Sequence, residues 1–450
     1  MTLRRWGGPA LAMLLVLGRA PSAQAWDAAT THAGLTEQAI YASTLGRILT
    51  QTLHRPLGLY EPLRINLTGP RGERLGTALG RLGSADGYAP EGGRLPALEW
   101  VVAGSVIEET PVVRMRNHFY DPRTQGGLDQ GGFLSGMDLR MGRLLEGSGS
   151  VREFLTGGGL DGTGRPSLAW LTATDNDLGL SWFYEARERA VTAATPRERD
   201  AALAEALLVA GAILHVVEDA TEPALVRNDF REEFARYGGP FRRWVAQRYG
   251  RLGVPAPSAG PIDVAHLSEI ITNEDETGLA DRTAAHFFSL GSLPGSTPTR
   301  SPDVKPGAGL SGYVAGEDVA HLAAWRREAG RLIWQLDERC YRDYASVLLP
   351  LAAHGALSAL EHLFRGGLSL SDGKVYAGTE ALGAGRLSFY AEDGMGRRRM
   401  IRSSEVSGAA AEDVLADEPT VEGARRLVAV FRGVDVEGEP IVVSAERHLE

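Results

Sequence analysis

A long apolar stretch near the middle of the chain constrains the fold most. Residues 201–220 are nearly all Ala, Leu, Val and Ile, with the spacing of a helix. Such a helix is apolar on most sides, so other elements have to surround it. Glu205 and His215 interrupt the apolar run, which argues against a membrane span. The fold therefore has to be built around one buried core helix.

The remaining pattern predicts a mainly α fold with a β region at its carboxyl end. Gly/Pro/Ser-rich connectors are predicted at 67–95, 156–166, 252–262 and 292–312. After Gly366, short runs of β type bounded by glycine and acidic turns replace the helical periodicity. We therefore predict a multi-helix domain over 26–366 and a small β-sandwich-like domain over 367–450. The predicted helices cover 33–53, 96–108, 134–146, 166–196, 198–220, 229–250, 263–291, 315–347 and 350–364.

The charge and the cysteine content of the chain limit its partners and cofactors. A net charge of −10 argues against a nucleic-acid duplex as the main partner, because binding phosphates needs a basic face. The same charge suits a site that gathers divalent cations. Cys340 is the one cysteine, so neither an intramolecular disulfide nor a cysteine-based zinc site can form. We predict that Cys340 is a small buried apolar residue.

The first 25 residues have the order of a secretory signal. Arg4 and Arg5 precede an apolar run over 10–17, and Ala23-Gln24-Ala25 forms a cleavage site. We predict cleavage after Ala25 and a secreted or periplasmic product. Trp26 would then carry an α-amino group that titrates near pH 8 and can offer a lone pair.

Histidines and carboxylates recur where helices are predicted. His215 and Asp219 lie four residues apart on one face of the core helix, where burial demands a partner. A metal ion would satisfy both, and so would a hydrogen bond between them. His118 follows a helical run, and Glu108 and Glu109 end the segment before it. An ordinary loop histidine and a solvated helix end are the alternatives there.

Together these side chains form one set of oxygen and nitrogen donors without a thiolate. Such a set suits clustered zinc. The predicted metal ligands are Trp26, His32, Glu109, His118, His215 and Asp219.

The order of these residues resembles the zinc-dependent phospholipase C and single-strand nuclease superfamily, in particular its bacterial phospholipase C-like branch. In that family a mature amino-terminal Trp binds zinc through its amine and carbonyl, and a His follows shortly after it. A His-Phe-Trp/Tyr-Asp-Pro motif and a helix with His-x-x-x-Asp and a Pro come next. This chain has Trp26 and His32, then His-Phe-Tyr-Asp-Pro at 118–122, then His215, Asp219 and Pro223.

The resemblance implies an all-helical secreted enzyme that hydrolyses phosphoric esters through a metal-activated water. Glu109, His118, His215 and Asp219 would hold one zinc ion. Trp26 and His32 would hold a second, with Asp219 as a bridge. Glu109 would also be the general base, so the implied catalytic residues are Glu109 and Asp219.

The chain also departs from the family pattern. Leu225 stands where the family has a further zinc-binding His, and leucine cannot bind a metal. The family's next His-x-x-x-Glu has no counterpart; Asp229 and Glu233 keep the spacing with carboxylates, while Arg242 and Arg243 crowd the region. We therefore expect a degraded third site and two zinc ions, with a third only if a distant residue substitutes. The weaker ligand candidates are Glu108, Asp229, Glu233, His266 and His286, the last two being ordinary helix histidines by pattern.

Two further hypotheses remain open beside a phospholipase C-like phosphodiesterase. One is a zinc-binding pseudoenzyme with a binding or structural role, which the loss at Leu225 favours. The other is a peripheral contact with a membrane through the β domain, where 397–399 form a modest basic patch. The substrate would be a phospholipid or another phosphodiester such as a nucleotide. The sequence does not address the oligomeric state.

Overall fold

The helical part of the chain comes first and the main β sheets follow it. A computed structural model describes residues 27–85, 93–129, 163–229, 239–296 and 302–449. All of the helices in these residues end before residue 364, and seven strands lie after residue 367. This arrangement confirms the predicted fold class.

Nine α-helices of six or more residues can be labelled in the described part of the chain. Short helical turns lie between them at Ala28–His32 and Ile48–Thr52 (π), Gly58–Tyr60, Val112–Asn117 and Leu290–Ser292 (3₁₀), and Leu45–Arg47, Pro223–Val226, Tyr249–Leu252 and Ser268–Ile271 (α). The labelled helices are α1 Ala33–Ala42, α2 Gly69–Ala85, α3 Ala97–Ile107, α4 Ser167–Thr172, α5 Leu180–Thr192, α6 Pro196–Asp219, α7 Pro240–Ala246, α8 Leu279–His286 and α9 Glu338–Leu363.

The strands in the described residues form four antiparallel sheets. Two of them, in the orders β12-β11-β8-β9 and β10-β7-β6, enclose a separate apolar core at the carboxyl end. Within the helical part, β1 pairs with β2, and β3-β4-β5 form a small sheet. The strands are β1 Pro62–Arg64, β2 Arg94–Pro96, β3 Ser311–Val314, β4 Ala323–Glu328, β5 Arg331–Gln335, β6 Leu368–Ser371, β7 Lys374–Ala377, β8 Leu382–Glu392, β9 Arg398–Val406, β10 Val414–Asp417, β11 Arg426–Asp435 and β12 Pro440–His448.

Helix α6 is the core helix that the sequence predicts. Thr195 caps it by accepting a hydrogen bond from the Glu198 amide, and Glu198 reaches back to the Thr195 amide, while Pro196 fits the first helical position. Among the described helices it alone has the length and apolar composition of a membrane span, and 83% of that apolar window is buried inside the protein. Its carboxyl-terminal turn carries His215 and Asp219.

Helices α3 and α6 cross with their backbones in contact. A Cβ atom at Gly104 would lie 1.8 Å from the carbonyl oxygen of Leu208, and one at Gly211 would lie 1.8 Å from that of Val101. Only glycine permits this approach. The crossing brings the end of α3 beside the last turn of α6.

A buried ion-pair network attaches the β sheets to the start of α6. The Arg398 guanidinium donates to the Glu392 carboxylate at 2.8 Å, and that of Arg199 donates to the same carboxylate at 3.2 Å. All three side chains are less than a tenth exposed. Helix α6 thus extends from this network to the residues of the candidate site.

The predicted helix over 315–347 is wrong in its first two thirds. Strands β4 and β5 occupy this stretch, joined by a turn in which Ala329 and Gly330 have φ of 49° and 77°. Their sheet buries Trp325 against the helices. The helix begins at Glu338, where the Asp337 side chain accepts from the amides of Arg339 and Cys340, and it continues through Pro350.

Other predicted boundaries also need correction. Helix α2 occupies much of the segment 67–95, which was predicted to be a connector. It forms despite the glycines around it because Leu75 and Leu79, one turn apart, are buried against the core. The predicted helices over 33–53 and 166–196 are interrupted at Ser43 and Ala173, where the backbone becomes extended. Shorter helices replace the predicted ones over 239–250 and 263–291, while 134–146 and 230–238 lie outside the described residues.

Candidate metal centre

Three histidines and an aspartate from separate segments meet at the end of α6. His32 ends the π-helical turn before α1, His118 follows the turn Val112–Asn117, and His215 and Asp219 lie on α6. Each is at most 2% exposed. The rings of His32 and His215 stack with their centres 3.7 Å apart, and that of His118 meets His215 edge-on at 5.0 Å.

Four buried donor atoms in this cluster make no hydrogen bond within the described part of the chain. They are Nε2 of each histidine and Oδ1 of Asp219. The ligand atoms form two sets, and within each set they lie within 4.8 Å of one another. The first set has one atom each from His32, His215 and Asp219, and the second has one each from Glu109, His118 and His215. Buried polar atoms are costly without a partner, and nitrogen and carboxylate donors at this spacing fit zinc. The residues present therefore suit the metal that the sequence implies.

The second ring nitrogen of His215 fixes its tautomer. Nδ1 lies 2.5 Å from the carbonyl oxygen of Ser105, which can only accept a hydrogen bond. The proton therefore stays on Nδ1, and Nε2 presents a lone pair to the cluster. This is the arrangement that orients metal-binding histidines in proteins.

Asp219 contacts all three histidines. Its Oδ2 lies 2.7 Å from Nδ1 of His118 and 3.3 Å from Nε2 of His215, and its Oδ1 lies 3.3 Å from Nε2 of His32. Burial alone would raise the pKa of this carboxyl, but the three imidazoles hold it well below its ordinary value. Asp219 is therefore a carboxylate that belongs to the first ligand set, and His215 is the residue that the two sets share.

His32 is held by a carboxyl group that was not predicted from the sequence. Its Nδ1 lies 2.5 Å from Oε2 of Glu218, whose Oε1 accepts from the Thr36 hydroxyl at 2.8 Å. Burial, with His215 adding to it, lowers the pKa of His32 to about 3, and burial raises that of Glu218 well above its ordinary value. Glu218 could have been suspected, because a carboxyl beside Asp219 on a buried helix needs a partner.

His118 and Glu108 belong to a second network. Burial would lower the pKa of His118, but Asp219 and Glu108 raise it to about 9. Glu108 receives hydrogen bonds from Arg114 at 2.6 Å and from the Trp170 indole at 3.0 Å. Burial raises the pKa of Glu108, but Arg114, His118 and Trp170 together hold it below its ordinary value. Glu108 is thus committed to Arg114 rather than to the two ligand sets.

Glu109 lies on the side of the cluster facing His215. Its Oε1 is 3.7 Å from Nε2 of His215. Glu108 and Glu109 are 1% and 4% exposed, so a solvated helix end does not describe them. The cause is the α3–α6 crossing, which carries the end of α3 into the core.

Glu222 and Arg242 are two further buried charged groups at this site. Glu222 lies three residues beyond Asp219, and burial raises its pKa to about 7. Arg242 lies in α7, which packs against the turn that carries His32. Glu222 was not predicted from the sequence, although its place beyond the His-x-x-x-Asp motif on a buried segment was a usable signal.

The remaining candidates lie elsewhere. Asp229 accepts a hydrogen bond from the Gly291 amide at 2.5 Å and so holds the turn Leu290–Ser292. His266 and His286 pair with Glu439 at 3.1 Å and Glu317 at 3.3 Å, away from both ligand sets and outside regular helix or at a helix end. Leu225 is fully buried. Trp26 and Glu233 lie outside the described residues.

Comparison with known proteins gives a distant structural likeness. No protein-family model and no curated protein matches the chain. Alpha toxin from Clostridium absonum is similar at 10% identity and a TM-score of 0.33, covering 94% of this chain and 99% of the toxin. Alpha-toxin from an avian strain of Clostridium perfringens has 11% identity and a TM-score of 0.29, covering 95% and 100%. At these values the likeness carries no conclusion about activity.

Proposed function

We propose that the chain is a secreted zinc-dependent hydrolase of phosphoric esters, a phospholipase C-like phosphodiesterase. The observation that carries the proposal is the convergence of four buried donor atoms that make no hydrogen bond in the described part of the chain. The reaction class comes from the motif order, which resembles the zinc-dependent phospholipase C and single-strand nuclease superfamily. The proposed ligands are Trp26, His32, Glu109, His118, His215 and Asp219.

In this proposal the protein prepares the donors and zinc supplies the electrophile. Zinc, when bound, polarises phosphoryl oxygens and acidifies water. The Ser105 carbonyl keeps the proton of His215 on Nδ1 and so leaves Nε2 as the donor atom. The imidazoles keep Asp219 ionised. Glu109 is the proposed general base, accepting a proton at its carboxylate beside His215.

A structural zinc site is the second candidate function. The burial of every donor side chain favours it, because structural zinc sites are closed whereas catalytic ones keep an open position. In that case the ion would join the amino-terminal turn, α3 and α6 without catalysing a reaction.

Two measurements on the purified mature protein separate these functions. Metal analysis gives the zinc content per chain, and hydrolysis of bis(p-nitrophenyl) phosphate gives the activity. Asp219→Asn should lower activity by more than the roughly 10–100-fold typical of losing a residue that only orients a ligand. Asp343→Asn is the matched control, because Asp343 accepts from His321 at 3.0 Å in a partly exposed pair outside both ligand sets.

The outcomes are distinct. Zinc together with activity that depends on Asp219 supports the hydrolase. Zinc without activity supports the structural role, and a protein that binds no zinc excludes both. Equal rates for wild type and Asp219→Asn would remove the proposed site.

A further inference from the structure

Arg242 places a buried positive charge beside the proposed metal ligands. Its side chain is 3% exposed, and its helix α7 packs against the turn Ala28–His32. Burial lowers the pKa of Arg242, and the nearby carboxylates of Glu109, Glu222, Asp219 and Asp27 oppose this lowering. A guanidinium does not lose its proton in proteins and cannot bind a metal.

The carboxylates at this site need positive charge when no metal is bound. Glu109, Asp219 and Glu222 are each at most 4% exposed, so water cannot screen them. Oε2 of Glu222 makes no hydrogen bond within the described residues. Several buried carboxylates without a cation would be strongly destabilising.

Among the described residues, a leucine stands at the position expected to supply a donor to a third metal ion. Leu225, fully buried three residues beyond Glu222, offers no ligand atom. The ligand groups found among the described residues number two, and both include His215. The carboxylates of Glu109 and Glu222 therefore lie near a fixed cation instead of a further set of metal donors.

We propose that Arg242 is a built-in cation of this site, which takes the place of a third metal ion and neutralises Glu109 and Glu222 while zinc is absent. The inference rests on the proposed function only in that the site binds zinc. It makes the centre one of two divalent ions and one fixed guanidinium.

The sign of the effect separates this role from a merely structural one. A guanidinium attracts the carboxylates in the metal-free protein and repels the incoming ions. Removing its charge should therefore destabilise the metal-free protein and tighten zinc binding. Loss of a packing residue would destabilise both forms and weaken binding.

The test compares wild type with Arg242→Met, Arg242→Lys and a control. Arg227→Met is the control, because Arg227 is also fully buried but donates to the carbonyls of Ala284 and Phe287 at 2.5 Å. Zinc content is measured by metal analysis, zinc affinity by competition with a chromophoric chelator, and Tm by calorimetry with and without zinc. We expect two zinc ions in the wild type, at least about tenfold tighter binding in Arg242→Met, and wild-type behaviour in Arg242→Lys.

We also expect Arg242→Met to lower the Tm of the metal-free protein more than that of the zinc-loaded protein. A variant that folds only when zinc is supplied supports the proposal in the same way. The proposal would be overturned if Arg242→Met bound zinc more weakly or lost the same Tm with and without zinc, as we expect for Arg227→Met. A variant that fails to fold even with zinc, or three zinc ions in the wild type, would also overturn it. A wild type that binds no zinc would instead remove the proposed function.

Discussion

The crossing of α3 and α6 offers a sharp test of how the fold builds the site. Gly211→Ala would add a Cβ atom 1.8 Å from the Val101 carbonyl oxygen, whereas real Cβ atoms stay at least 3.0 Å from such atoms. The two backbones would have to separate by about 1.2 Å at this point. Overpacking costs about 1–3 kcal/mol, and a clash between two helix backbones belongs at or above the upper end.

The separation should also reach the candidate site. Ser105 follows Gly104 on α3, and His215 lies one turn beyond Gly211 on α6. Their hydrogen bond of 2.5 Å would stretch beyond the normal range. Losing a group that orients a metal ligand lowers metal affinity by about 10–100-fold, which we expect for zinc here.

Urea denaturation of the metal-free protein gives the stability, and chelator competition gives the zinc affinity. The control is Gly80→Ala, because Gly80 is exposed on α2 with no atom within 4 Å of the added Cβ. It should stabilise the protein by about 0.5–1 kcal/mol. If Gly211→Ala unfolds within about 0.5 kcal/mol of the wild type, the close crossing is refuted. A large loss of stability with unchanged zinc affinity would refute its link to the site.

Three further predictions concern ionisable groups. The pKa of His118 is raised to about 9, so zinc has to displace the second proton of this imidazole. Zinc affinity measured by chelator competition should therefore rise at least about tenfold per pH unit from pH 6 to 8. An affinity that does not change with pH would contradict the role of His118 as a ligand. Burial and then Arg365 lower the pKa of His362 from 6.5 to about 4, so the unfolded chain binds this proton more tightly than the folded protein does. As the pH falls from about 6.5 to 4, the free energy of unfolding of the metal-free protein should therefore decrease by about 3 kcal/mol. Urea denaturation should show this decrease in the wild type and not in His362→Asn. Burial raises the pKa of the Cys340 thiol to about 12, so Ellman's reagent at pH 8 should react with the denatured chain and leave the native chain unmodified, and rapid native reaction would show that Cys340 is accessible.

The sequence predicted the core helix and the residues on it because both depend on local spacing. Helical periodicity places His215 and Asp219 on one face whatever the rest of the chain does. The motif order then supplied His32 and His118, which the structure brings to the same place. Burial of Cys340 was likewise predictable from the residue type.

The other features depend on contacts between distant segments. The sequence around Ser105 does not indicate the helix crossing that brings this residue to the site. The sequence around Arg242 likewise does not indicate that α7 packs there. The stretch with β4 and β5 has apolar residues at helical as well as strand spacing, and the turn at Ala329 and Gly330 decides between them. Helix α2 was missed because its glycines suggested a loop, although tertiary packing of its leucines stabilises it.

Burial of the donors has a kinetic consequence. His32, His215 and Asp219 have no exposed surface, so a chelator cannot reach an ion among them until a neighbouring segment opens. Zinc would then leave at a rate that stops rising with chelator concentration, and the plateau would equal the rate of that opening. Retention of the ion in a metal-poor environment would accordingly be set by how often the protein opens, as well as by how tightly the site binds.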